Sequence, residues 1–118
     1  AFVAMRVPFA EAGERLSAFA ADNGLILDDA LETFAARAER IEAEGLPLEA
    51  LTYDAGFGRP LDYYTGFVFE IASPTGTVLA GGGRYDRLLT LLGAETPIPG
   101  VGFSIWLDRV AGLKETAA

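Results

Sequence analysis

The 118-residue chain contains no cysteine and no histidine. Their absence removes disulfides, thiol catalysis and the ordinary zinc ligands together. It also removes the side chain that most readily shuttles protons at neutral pH. Basic residues are scarce, with nine Lys and Arg against 17 Asp and Glu, for a net charge of −8. So acidic a surface has no general attraction for phosphate backbones, and nucleic-acid binding is not expected. No run approaches the ~20 apolar residues that span a membrane. Glu11 and Glu14 stand close behind the first apolar residues, unlike the layout of a signal peptide. A reducing, cytoplasmic setting is the expectation. Ala1 stands where an initiating Met would, so the segment is expected to come from a longer protein. No carboxylate pair, nucleophile triad or metal cluster is identifiable, and no catalytic residue, metal or cofactor is expected.

Half of the chain is apolar, enough for a small core. The first part reads as helix. From Pro8, apolar residues recur at Phe9, Ala12, Leu16, Phe19 and Ala20, near a 3.6-residue period. Pro8 suits a first turn, Glu11 and Glu14 favour the positive helix end, and Asn23-Gly24 is a stop. A second helix is expected from Asp28 or Asp29, acting as its cap, with Leu31, Phe34, Ala35, Ala38 and Ile41 as its stripe and Gly45 as its end. Residues 1–50 thus form a helical scaffold segment. They hold four Arg against ten acidic residues, whereas residues 51–118 hold five basic against seven.

After Pro47 the texture changes: residues 51–57 and 63–72 are rich in β-branched and aromatic residues and read as strands. Residues 64–72 and 77–81 predict an antiparallel hairpin around Ser73-Pro74-Thr75-Gly76. A glycine run follows, then a short helix over 84–92 ended by Gly93, a strand over 98–105 and a last helix over 106–113. The fold class is α+β, helices first and then a mostly antiparallel sheet.

Three stretches carry chemistry. "GRPLDYYT" (58–65) places an arginine, an aspartate and two tyrosines at a strand start. In a regular strand Arg59, Leu61 and Tyr63 would share one face, and Asp62 and Tyr64 the other. Pro60 removes a ladder donor and implies an edge or a strand's first residues. Alone, the stretch equally fits a Tyr-rich strand with a surface ion pair. "AGGGRYD" (80–86) has three consecutive glycines, more than a turn needs. Such glycines suit a close approach to the backbone, and a helix start beyond them would offer free N–H groups. No Gly-Lys-Ser/Thr follows, so this is not a Walker loop. In "PGVGFSIWLDRV" (99–110), Gly100 and Gly102 leave room beside a strand for a flat group, and Arg109 can reach an anion. A core strand followed by a helix with a solvated Asp-Arg pair fits it as well.

Together, "RPLDYYTGFVFEI", "AGGGRYDRLL" and "GVGFSIWLDRV" resemble, in order and spacing, the catalytic domain of histidyl-tRNA synthetases and their paralogues. The resemblance covers roughly residues 51–113. It implies part of a class II antiparallel fold, with residues 1–50 in the place of a helical insertion and the family's first two motifs upstream of this chain. It implies a histidine pocket of Arg59, Asp62, Tyr63, Tyr64, Gly82, Gly83, Arg84 and Tyr85. It further implies a nucleotide site, functional or vestigial, of Gly100, Gly102 and Arg109. Two branches of the family fit. One is histidyl-tRNA synthetase itself. The other comprises the regulatory subunits of ATP phosphoribosyltransferase, which lack aminoacylation and partner a short catalytic subunit in histidine-regulated histidine biosynthesis, as homodimers within a hetero-oligomer. Pro60 in place of the synthetase glycine, the reduced glycine pattern, Asp108 in place of Glu and the acidic charge favour the second, non-catalytic branch. Arg59 and Arg109 keep the synthetase form.

Overall fold

The structure is a computed structural model; it describes residues 2–59 and 63–116. Its elements run in the expected α+β order. After a single 3-10 turn come β1 (Arg6–Pro8), α1 (Phe9–Asp22), α2 (Asp28–Ala43), a second 3-10 turn, β2 (Thr52–Asp54), β3 (Val68–Ala72), β4 (Val78–Arg84), α3 (Leu88–Leu91), β5 (Val101–Ile105) and α4 (Leu107–Thr116). The chain divides into two compact units, Ala1–Phe57 and Gly58–Ala118.

In the first unit, the apolar stripe of α1 forms the core, with Phe9, Ala12, Leu16 and Ala20 buried. Phe9 meets Phe34 of α2 at 5.0 Å between ring centroids, and Phe34 meets Tyr53 of β2 edge-on at 5.7 Å. Both helix ends turn at glycine in the left-handed region, Gly24 at φ 63° and Gly45 at φ 81°. The expectation that Asp28 or Asp29 caps α2 is corrected. Leu27 holds the cap position, and both aspartates lie within the first turn, where their charges face the positive helix end. One element has no counterpart in the sequence reading. Arg6–Pro8 forms a short strand that pairs antiparallel with Thr52–Asp54. Residues 51–57 therefore pack with the helices.

The second unit is a three-stranded antiparallel sheet in the order β3-β4-β5. The β3–β4 hairpin closes as expected through Pro74 to Gly76, with Gly76 at φ 86°. Ser73, buried, accepts from the Thr77 N–H through its hydroxyl and holds the turn. A register shift between Ile71 and Ala72 then displaces the pairing by one residue. Glu70 consequently stands opposite Gly81, and Gly81 opposite Ser104.

Two strand expectations are corrected. Tyr63 and Tyr64 precede β3 in an irregular segment, so the alternation argued for a strand does not govern them. The reason is local: the segment follows the turn of β4, with the Thr65 N–H on the Arg84 carbonyl and the Arg84 N–H on that of Phe67. The glycine run does not lead into a helix. Gly81, Gly82 and Gly83 are all buried in the middle of β4, the central strand, and α3 begins only at Leu88. Glycines survive there because other groups occupy the space of their missing side chains.

Candidate functional site

Direct partners across an antiparallel pair share a face. Glu70, Gly81, Gly83, Gly102 and Ser104 therefore line one face of the sheet. That face has a glycine floor, and three side chains lie on it. A Cβ on Gly81 would collide with Nη1 of the Arg59 guanidinium. One on Gly83 would lie 2.9 Å from the Tyr64 ring. One on Gly100 would lie 2.7 Å from the Tyr85 ring, and one on Gly102 would collide with the Tyr85 hydroxyl. The room that Gly100 and Gly102 leave for a flat group is thus filled by the chain's own phenol. Gly82 differs: its Cβ would strike the carbonyl of Gly102 and lie 2.6 Å from Phe103 Cα, so this glycine serves strand packing.

The three tyrosines form one cluster. Tyr63 lies 4.8 Å from Tyr64 and 5.6 Å, edge-on, from Tyr85, centroid to centroid. The hydrogen bond between the Tyr63 and Tyr64 phenols, then burial, pushes the Tyr63 pKa above its usual 10.0, while Arg59 pulls against the rise. The Tyr63 phenol is therefore neutral at physiological pH and able to donate.

Arg59 is the charged member. Its side chain is only 13% exposed, and Nη1 donates to Glu70 Oε1 at 3.0 Å. Among the described residues its Nε is buried without a hydrogen-bond partner. The guanidinium lies 5.8 Å from the Trp106 ring, and that of Arg109 lies 4.9 Å from the same ring. Arg109 Nη1 also donates to the Val78 carbonyl at 2.8 Å, which ties α4 to the start of β4. Arg84 is directed elsewhere. It lies one residue out of step with Gly81 and Gly83, and its Nε donates to Asp86 Oδ2 at 2.7 Å.

Asp86 is the hub beside the floor. Besides Arg84, its Oδ1 accepts from the Gly100 N–H at 3.2 Å, and its own N–H donates to Thr65 Oγ1 at 3.0 Å. The Arg84 hydrogen bond, with help from Gly100, holds its carboxyl below the usual aspartate range. The Tyr85 N–H donates to the Gly100 carbonyl at 2.8 Å. Three segments, at Thr65, at residues 84–86 and at Gly100, are so fixed around the Tyr85 ring.

Arg59, Tyr63, Tyr64, Gly83 and Tyr85 thus come together, and Gly100 and Gly102 support the same ring. Asp62 lies outside the described residues. Sequence reasoning missed Glu70, Trp106 and the part played by Gly81. Glu70 could have been found from the hairpin register, but plain counting from the turn places it opposite Ala80 rather than Gly81. Among the described residues no group of three or more Asp, Glu, His or Cys is placed to hold a metal. A groove of about 520 Å³ between α1 and α2 is lined mainly by apolar side chains such as Phe9, Leu31 and Phe34, with Ser17, Glu32 and Glu39 its polar members. It lacks the convergence of donors found on the glycine floor.

A family model described as histidyl-tRNA synthetase matches residues 2–110. The ATP phosphoribosyltransferase regulatory subunit of Mesorhizobium japonicum is 66% identical over 117 residues, covering 98% of this chain and 31% of that protein. The protein of the same name from a Chelativorans species is 65% identical over 114 residues, covering 96% and 31%. The chain thus spans about a third of the length of these curated relatives. Among solved structures, the histidine–tRNA ligase subunit of Alicyclobacillus acidocaldarius superposes with a TM-score of 0.65 at 40% identity, over 77% of this chain and 26% of that one.

Proposed function

The chain belongs to the histidyl-tRNA synthetase family, and from that premise we propose that it forms the amino-acid pocket of a regulatory subunit of ATP phosphoribosyltransferase. In this reading histidine is the ligand and the effector, and the chain performs no catalysis. It acts on a short catalytic subunit within a cytoplasmic hetero-oligomer in which the regulatory protein is a homodimer. The observation that carries the ligand assignment is the set of Arg59, Tyr63, Tyr64 and Tyr85 gathered on one glycine-floored face. Histidine offers a carboxylate, an ammonium and an imidazole. Arg59 has donors left for a carboxylate. The phenols supply hydroxyls and ring faces for an imidazole. Arg84 and Asp86 hold the floor in shape. Arg109, engaged with Trp106 and Val78, has a structural duty whether or not a nucleotide reaches it.

The choice of branch is supported by the relatives' names at 65–66% identity and by Pro60 in place of the synthetase glycine. Histidine would regulate by binding one arrangement of the complex better than another. A second reading, part of a histidyl-tRNA synthetase, is favoured by the likeness to a histidine–tRNA ligase subunit and by the retention of Arg59 and Arg109. The full chain encoded by the gene separates the two. We expect it to activate a short ATP phosphoribosyltransferase catalytic subunit, with histidine suppressing that activation. Histidine-dependent ATP–pyrophosphate exchange instead would establish the synthetase reading.

A further inference from the structure

The charge of an arginine whose side chain is only 13% exposed must be compensated or it will leave for solvent. Arg59 is held by three things: the space over Gly81, the Trp106 ring and the Glu70 carboxylate. Glu70 alone of these carries a charge. It approaches one corner of the guanidinium, Nη1, at 3.0 Å. That leaves the Nε–Nη2 edge, which can meet a carboxylate side-on through two parallel N–H groups. Among the described residues Nε on this edge is buried and without a partner. A buried donor left unpaired is costly and calls for an explanation. A ligand carboxylate on that edge would supply it.

We infer that Glu70 is the positioning residue for Arg59: it pins the guanidinium flat over Gly81 and so presents the Nε edge to the carboxylate of an amino-acid ligand. The inference rests on the reading of Arg59 as the carboxylate-binding group. Two effects of Glu70 oppose each other. Its negative charge weakens the attraction of Arg59 for any anion, whereas its hydrogen bond fixes where Arg59 lies. Position prevails, because the ligand must meet a mostly buried edge from a defined direction. The bulge at Ile71–Ala72 matters here, since it brings Glu70 onto the face of Gly81.

The test is calorimetric titration of L-histidine into the full chain encoded by the gene. Glu70→Ala is expected to weaken binding about tenfold, less than truncating a fully buried charged pair would, because the Glu70 side chain is 31% exposed. Glu70→Gln, which keeps an acceptor oxygen at the same reach, restores affinity to near that of the parent. Gly81→Ala leaves both side chains intact but denies Arg59 its seat, and is expected to match Glu70→Ala. The double variant is expected to be no weaker than either single one, because both remove the same placement. Should Glu70→Ala not fold, Glu70→Asp, shorter by one methylene, carries the same expected loss. Unchanged affinity in the Glu70 and Gly81 variants, with Arg59→Ala still losing binding, overturns the positioning role alone. A loss in Glu70→Gln as large as in Glu70→Ala overturns it too, since charge rather than placement would then matter. If Arg59→Ala binds histidine as well as the parent, or the parent does not bind it, the pocket reading itself falls.

Discussion

At the scale of residues, the glycines of β4 and β5 are seats for side chains of the same chain. Arg59 lies over Gly81, Tyr64 over Gly83 and Tyr85 over Gly100 and Gly102. Gly102→Ala is expected to push the Tyr85 hydroxyl aside, costing about 1–3 kcal/mol in a urea unfolding series and weakening histidine binding. Gly112 in α4 is the contrast, since no atom of the described residues beyond its own helix backbone and chain neighbours lies within 4 Å of where its Cβ would be. Gly112→Ala is expected to stabilise by about 0.5–1 kcal/mol through better helix propensity, with histidine affinity unchanged. Asp86 gives a pH prediction. Its folded pKa lies below the ordinary 3.8, chiefly through Arg84. Its contribution is therefore complete above the unfolded value and lost as pH falls through the lower folded value. The Gly100 amide resonance should hold steady on acidification to about pH 4 and move only below it; movement between pH 5 and 7 would refute the hub.

At the scale of elements, the β3–β4 hairpin determines which residues share the floor. Its turn depends on Gly76 at φ 86° and on the buried Ser73 hydroxyl. Gly76→Ala is expected to cost about 1–2 kcal/mol, from the steric penalty of a Cβ in the left-handed region, measurable as a lowered urea midpoint. The helices owe their form to a simpler rule. A 3.6-residue stripe and a glycine stop were enough to place α1 and α2 within a residue or two, because local backbone preference and burial agree there. The Tyr63–Phe67 segment shows the opposite case. Its composition favours a strand, but it pairs irregularly with the end of β4, and tertiary context overrides propensity.

At the scale of the whole molecule, the chain is two compact units, and the candidate site lies wholly within Gly58–Ala118. The opposite face of that sheet bears Ile71, Val101, Phe103 and Ile105, all well exposed. The site face is thus set apart by chemistry as well as by shape. A ligand that binds only the folded state stabilises it by mass action, about 2.7 kcal/mol at a hundredfold excess over Kd. Histidine is expected to raise the unfolding midpoint of the full chain in this manner, and Arg59→Ala to abolish the rise; an equal rise in both would place histidine elsewhere.

By itself the sequence determined which residue types were available, the order of the longer helices and of the second unit's strands and, through its resemblance to a family, the three stretches that belong together, but not the short strand Arg6–Pro8. It also excluded thiol, disulfide and histidine chemistry outright. Tertiary structure alone decided which glycine receives which side chain, that Arg59 rather than Arg84 lies on the floor, and that Glu70 is its partner. The physical reason is the two-residue period of a strand: a single register shift at Ile71–Ala72 moves Glu70 from one face to the other. No pattern in the residues themselves announces that shift.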